Sequence, residues 1–477
     1  MNLTIMKRKI HILTISMIAF LSVSCSFLEV EKIGKSDIQT YFSEISAFEP
    51  AMNGIYNLMY SFYDRYYIPY VEVAGNDIVL SASAGGVWVD YQNFATTSDN
   101  ETSALGYIWK GGYEIINNAN QVIYWAPLFP VTNPKDSETI ANVLGAAYYV
   151  RALLHFDLCR VYGQDYGYTA DASHLGIAIR NRIPSLSETI ARSSVHDCYQ
   201  QAISDLQSAL ASFSNCTYNA YRPTPLACKA LLAKIYLYMG DMEQAEKYAS
   251  EVIAEKPLTK REDYVRMYCD PEFIGDESIF RINGYEMTTT LKTMFDYQSP
   301  VLTPADGFLS RFDKDDIRNT LFSYSYAGKE YPKTMLKYTC TKEVAAETDR
   351  YCNIFMSRVS EMYLIRAEAN CSLGNTSEAE KDIKTLISRA TGKQSSEISL
   401  NWKSAEELDA LIYNERKKEL CFEGHCLFDI TRRHEDLVRD NSTTSTVRTL
   451  NYPDNRFVLQ IPYVEMDAND AMEQNPL

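Results

Sequence analysis

Trp88, Tyr91, Gln92, Asn93 and Phe94 crowd into one stretch, "DRYYIPYVEVAGNDIVLSASAGGVWVDYQNFATTSDN" (64–100), that is broken by Gly and Ser/Thr turns. An exposed ring offers a flat face to the C–H face of a sugar, and amide side chains offer paired donors and acceptors to hydroxyls. The chemistry this mixture supports is non-covalent capture of a polyhydroxylated ligand. Trp88 is the only one of the four Trp that falls neither in nor beside a helical pattern of the chain. A second aromatic set, Tyr285, Phe295, Tyr297, Tyr324 and Tyr326, lies in a Pro-, Gly- and Tyr-rich region further on. The ligand-contact candidates are therefore Trp88, Tyr91, Asn93, Tyr285, Tyr297 and Tyr324.

Bond-breaking chemistry finds little support. The sequence has no G-x-S-x-G, no H-E-x-x-H, no G-x-x-x-x-G-K-[ST] and no G-x-G-x-x-G. Cys421, His425 and Cys426 are close, but one helical turn presents at most two ligands on a face and no partner pair is evident. Neither a metal nor a cofactor is expected. A glycosidase needs only two placed carboxylates, and 62 acidic residues leave that open on paper; the expectation is a non-enzyme.

The N-terminus has its own logic. Lys7, Arg8 and Lys9 precede a mostly apolar run from Ile10 to Leu21, then Ser22, Ser24 and Cys25. That order reads as a secretory signal peptide over 1–24, because the run falls short of the roughly 18–20 residues that a membrane-spanning helix needs. Small residues directly before Cys resemble a bacterial lipobox, with Cys25 as the lipidated residue, although Ser22 stands where Leu is usual. The reading is a soluble body held to a membrane by acyl chains.

Losing 1–24 removes three positive charges and no negative ones, so the net charge moves from −16 to about −19. Such an acidic balance argues against nucleic acid, whose phosphates need clustered Lys and Arg. Ten cysteines follow Cys25; Cys159, Cys228 and Cys371 fall in helical patterns, as small buried hydrophobes do, and disulfide pairing stays open.

The elements that must position these residues are helices. "LLAKIYLYMGDMEQAEKYASEVI" (231–253) and "IRAEANCSLGNTSEAEKDIKTLI" (365–387) align without a gap, Ala233 on Ala367, Gly240 on Gly374, Asp241 on Asn375 and Ala245 on Ala379. Small residues allow close helix crossing, Gly ends one helix and Asp or Asn caps the next, a tetratricopeptide-like pattern. Helices are expected over 104–126, 138–162, 195–213, 225–239, 242–255, 359–373, 376–390 and 404–423, making four helix pairs. Trp109, Tyr113 and Asn117 to Asn120 share helical spacing and are read as core and interhelix hydrogen bonds. The chain divides into a signal peptide (1–24), a tether and loop-rich segment (25–103), a helical region (104–262), an inserted loop-and-strand lobe (263–358), a second helical region (359–425) and a C-terminal segment (426–477).

"NERKKELCFEGHCLFDITRR" (414–433) resembles the C-terminal signature of the SusD/RagB family of Bacteroidetes surface lipoproteins, with matches at Glu415, Arg416, Glu419, Glu423, Gly424, Asp429 and Arg432. It departs where Cys426 replaces Arg and Ile430 replaces Leu. "WKGGYEIINNANQVI" (109–123), "GAAYYVRALLHFDLCRVYG" (145–163) and "FVLQIPYVEMDANDAMEQNP" (457–476) resemble further family motifs in the right order. Glu29 and Glu31 resemble the surface-export signal of such lipoproteins. Arg416, Glu419, Glu423 and Asp429 are expected to form a structural ion network. The resemblance implies a mainly α fold, capture of an oligosaccharide or polysaccharide at the outer-membrane surface, and delivery to a SusC-like TonB-dependent barrel. A protein-only tetratricopeptide scaffold and a surface glycosidase are the rivals. A basic pocket of Lys329, Lys333 or Lys337 would adapt the acidic body to anionic ligands.

Overall fold

The computed structural model describes residues 37–82, 84–98, 104–185, 188–270, 273, 275–284, 289–338 and 352–476. Cys25 and Tyr285 lie outside them. The main helices are α1 Phe48–Phe62, α2 Ile68–Ala74, α3 Gly86–Gln92, α4 Ala104–Trp125, α5 Pro134–Tyr162, α6 Val195–Ser212, α7 Pro225–Met239, α8 Met242–Glu255, α9 Val359–Ser372, α10 Thr376–Thr391, α11 Ala405–Glu419 and α12 Cys426–Arg432. Strands are β1 Ile78–Leu80, β2 Ser278–Ile282, β3 Leu302–Pro304, β4 Ser323–Tyr326, β5 Lys329–Pro332 and β6 Ile354–Arg358.

Local chemistry sets the helix ends. Asn133 accepts from the Asp136 amide at 3.0 Å ahead of Pro134, and Asp241 accepts from the Gln244 amide at 3.1 Å. Both are N-caps that satisfy otherwise orphaned donors. Gly240 and Gly374 close their helices in the left-handed region, φ +77° and +82°, where a Cβ would be strained. From α4 to α11 successive helices pack on one another, and α8 packs on α9 across the insertion between them. The repeat alanines Ala233, Ala245, Ala367 and Ala379 are all buried, the last two in a cluster with Cys371, Ile383, Leu408 and Ile412.

Residues 48–476 belong to one compact unit; residues 37–47 form another, in which Asp37 caps the short helix Ile38–Tyr41. Within the insertion β2 pairs with β6 and β4 with β5, and its β3 pairs with β1 of the N-terminal region, all antiparallel. Two expectations fail here. The middle of the segment read as loop-rich is helical: Met52, Ile55, Met59 and Phe62 bury one face of α1, and a π-helical turn at Tyr63–Tyr67 leads into α2. The helix expected over 404–423 stops at Glu419, because Phe422 and Gly424 take left-handed backbone, φ +64° and +81°. Among the described residues Cys159, Cys198, Cys216, Cys228, Cys371, Cys421 and Cys426 are free thiols.

Candidate functional site: an aromatic surface where three chain segments meet

The residue that organises the first segment is Asp64, buried on the π-helical turn. It accepts from the Thr289 hydroxyl at 2.5 Å and from the amides of Thr290 and Leu291 at 2.6 and 3.1 Å. It thereby caps the short helix Thr290–Met294 that introduces Tyr297. Burial raises the Asp64 carboxyl above its ordinary range, against the pull of those donors. Extra-wide helical turns often mark such positioning sites.

β1 pairs with β3 in the register Ile78 to Pro304, Val79 to Thr303 and Leu80 to Leu302. Beyond that ladder the Ser81 amide donates to the Val301 carbonyl at 2.8 Å, and the Val301 amide donates to the Met294 carbonyl at 2.8 Å. The loop that leads to Trp88 and the loop that carries Tyr297 are thus fastened together. A third segment joins them. Thr444 Oγ1 donates to the Leu80 carbonyl at 2.9 Å, and Asn93 Oδ1 accepts from the Thr446 amide at 2.8 Å and from Ser445 Oγ at 2.9 Å. Arg439, buried and without a carboxylate partner, donates to the carbonyls of Ala74, Gly75, Gln92 and Val447 at 2.6–2.9 Å. Burial lowers its pKa to about 10.

On this frame the sequence candidates separate. Trp88 is half-buried, its ring 5.7 Å from that of Tyr91 at 55°. It lies within α3, not in a loop as expected; Gly85 and Gly86 hide so short a helix from a periodicity reading. Tyr91 is 1% exposed and packs edge-on to Tyr70, so it is core and not a ligand contact. Asn93 positions the 444–447 loop. Tyr297 is half-buried, while its neighbour Tyr324 is 8% exposed and holds the Tyr297 ring at 4.8 Å with Tyr331 at 5.0 Å. Phe295 is buried against Tyr338 and Phe422. Trp88 and Tyr297 remain the partly open rings of the set.

The C-terminal signature residues form ion pairs far from these rings in sequence. Glu419 meets Arg318 at 3.0 Å, Arg358 at 2.6 Å and Arg389 at 2.7 Å. Glu423, on the turn after α11, meets Lys337 at 2.5 Å and Arg358 at 3.0 Å, and Arg416 meets Asp429 at 2.8 Å. Burial alone would raise Glu419, but Arg389, Arg358 and Arg318 overcome it and hold the carboxyl well below its ordinary range. Lys337 is buried, so it belongs to no surface basic pocket; its ammonium also donates to the carbonyls of Glu419 and Cys421. Cys426 Sγ lies 3.4 Å from Asn76 Oδ1, where a Cβ on Gly75 would already meet it at 2.6 Å. His425 sits buried, with its ring 3.9 Å from Glu361.

A site that sequence reasoning assigned to the core also opens here. A cleft of about 650 Å³ is lined by one face of α4 (Tyr107, Trp109, Lys110, Tyr113 and Asn117), by Ala178, Arg180, Ser185 and Glu188, and by Pro462, Val464 and Glu465. Trp109 is buried but for its cleft edge and donates to Glu465 Oε2 at 3.2 Å; Tyr113 donates to the Ala178 carbonyl at 2.8 Å. Asn120 does form the expected interhelix bond, accepting from Arg151 Nη1 of α5 at 2.7 Å, and it also donates to the carbonyls of Arg180 and Arg182. The exposed members sit at i, i+3 and i+10 of an apolar helix, where spacing alone cannot tell a cleft wall from a core face. Another cleft, of about 680 Å³, has Tyr56 as one of its two rings and the Arg222–Glu49 pair on its wall.

A long helical scaffold carrying a short-stranded insertion with aromatics on its loops is the architecture of surface binding proteins of the SusD type. A model described as the SusD family matches residues 316–477, and one described as starch-binding associating with outer membrane matches 26–237. The chain belongs to the SusD/RagB family. It is 26% identical over 460 residues to a SusD-like protein P2 of Formosa agariphila, covering 86% of this chain and 88% of that one. A putative sugar-binding protein from Bacteroides vulgatus superposes with a TM-score of 0.81 at 25% identity, covering 92% and 99% of the two chains. A SusD superfamily protein from Bacteroides thetaiotaomicron gives 0.80 at 24% identity, covering 91% and 100%.

Proposed function

We propose that this chain is a lipid-anchored, non-catalytic protein that captures an oligosaccharide or polysaccharide at the outer-membrane surface and delivers it to a SusC-like TonB-dependent barrel. The observation that carries the reading is the fastening of the Trp88 and Tyr297 loops through Ser81 and Val301. It ties together the segments that carry these two partly open rings, beside the hydrogen-bonded frame of Asp64 and Arg439. Rings held in place in advance lose little freedom on binding, which favours stacking on a sugar face. The family membership, a family description that names starch and the outer membrane, and a structural neighbour described as sugar-binding support the ligand class.

The test uses residues 26–477 on native gels cast with a panel of polysaccharides, with reducing ends assayed in parallel. Retardation by at least one polymer is expected, lost in Trp88→Ala and weakened in Tyr297→Ala, with no sugar released. Removing a stacked ring costs about 1–3 kcal/mol, or roughly ten- to hundred-fold in affinity. Indifference to every glycan would move the chain to the protein-scaffold reading, and released sugar would make it a glycosidase.

A further inference from the structure

The α4 cleft holds two cations that differ from the buried arginines of the scaffold. Arg151, Arg160, Arg318, Arg358 and Arg416 are each held by a carboxylate. Lys110 and Arg180 also line this cleft, and among the described residues no carboxylate or hydrogen-bond acceptor engages the side chain of either. The acidic groups beside them are already occupied. Glu188 pairs with Arg182, and Glu465 accepts from Trp109 Nε1 and from Asn469 Nδ2, each at 3.2 Å. In a chain of net charge −16, Lys110 on α4 and Arg180 on the loop after Ala178 thus bring two cations without a carboxylate partner to one cleft, beside the carboxylates of Glu188 and Glu465.

An apolar platform flanks them. Tyr107 is 44% exposed, with one ring face stacked on Tyr66 at 5.1 Å and 12° and its edge and remaining face turned to the cleft and solvent. Val464, 55% exposed, lies on the C-terminal wall, and the amide of Asn117 and the hydroxyl of Ser185 supply neutral polar groups. The volume falls in the range that small-ligand sites occupy. Ring face, amide and guanidinium together match a pyranose that bears a carboxylate, since a guanidinium fork engages both carboxylate oxygens.

We propose that this cleft is a second carbohydrate subsite, separate from the Trp88–Tyr297 surface and selective for a uronate unit, with Arg180 and Lys110 receiving the carboxylate and Tyr107 the ring face. The assignment rests on the reading of the chain as a glycan binder and adds the ligand's charge class.

The test is calorimetry on residues 26–477, which include the whole 48–476 unit. Probes are oligomers of galacturonate, glucuronate and mannuronate, the carboxyl-reduced form of each, and a short peptide with a free C-terminal carboxylate. At least one uronate oligomer is expected to bind and its reduced form to bind weakly. Arg180→Gln and Lys110→Gln should each weaken it about tenfold or more, the worth of a charged hydrogen bond. Both variants should keep the parent melting temperature and the parent retention on a neutral polysaccharide. Equal affinity for acidic and reduced oligomers, indifference to both substitutions, or preference for the peptide would each overturn the subsite. If a neutral glycan binds and no uronate does, this inference falls alone; if nothing binds, the glycan reading falls with it.

Discussion

At the scale of the residue, the buried carboxylates divide into two kinds, and acid and base should act on them in opposite directions. Glu72, at the end of α2, is 1% exposed and accepts from the Gly424 amide at 2.7 Å. Burial pushes its pKa up to about 8. Between the ordinary carboxylate value and that figure, the folded chain keeps a proton that the unfolded chain has released. Stability attributable to Glu72 is therefore full in acid and declines as pH rises towards about 8. Glu72→Gln keeps the acceptor for Gly424 and removes the titration. It should raise the melting temperature at about pH 8–9 by an amount worth on the order of a few kcal/mol, with little change near about pH 4.5. Thermal melts across that range check it, and parallel pH curves for the two chains would rule it out. Glu419, held low by three guanidiniums, has the reverse sign: its contribution is present at neutral pH and is lost in acid. The signature positions Arg416, Glu419, Glu423 and Asp429 stand out in the sequence through their spacing. Their partners Arg318, Lys337 and Arg358 do not, because an ion pair between residues distant along the chain leaves no periodic mark; the separations are 101, 86 and 61 residues.

At the scale of the element, long helices with caps were legible and short ones were not. The α7–α8 and α9–α10 turns carry Gly followed by Asp or Asn, and the structure places each helix end within a residue or two of its expected position. α1 also has buried residues at helical intervals, but Tyr-rich sequence and Pro69 downstream masked it. α3 is seven residues long, and its conformation is fixed by Tyr91 packing on Tyr70, a tertiary cause with no local signature. The β2–β6 pair depends on a close backbone approach at Gly284, where a Cβ would lie 1.8 Å from the Cys352 carbonyl oxygen. Gly284→Ala should lower stability by about 1–3 kcal/mol or more, since the obstacle is backbone and cannot rotate away. A denaturant midpoint equal to the parent's would contradict that.

At the scale of the whole molecule, the family fold was legible from ordered motifs, whereas the open faces were not: the same helix that carries the W-x-x-x-Y motif also walls the α4 cleft. The proposed lipid anchor rests on residues 1–25 alone, which lie outside the described residues. The proposed anchor predicts that Cys25→Ser is still exported but shifts from the membrane pellet to the soluble fraction, with the retention of the 26–477 body on polysaccharide gels unchanged. Fractionation after expression in a native-like host checks it; a variant that stays in the pellet would mean that Cys25 is not the anchor.

Arg318, Lys337 and Arg358, all contributed by the insertion, close their ion pairs on Glu415, Glu419 and Glu423 of the scaffold. A lobe that supplies half of a buried charge network is not a cassette. Exchanging residues 263–358 for a segment without those three cations would strand acidic groups inside the body, so exposed side chains such as Trp88 on α3 and Tyr297 on its loop can vary while the stitched base travels with its scaffold.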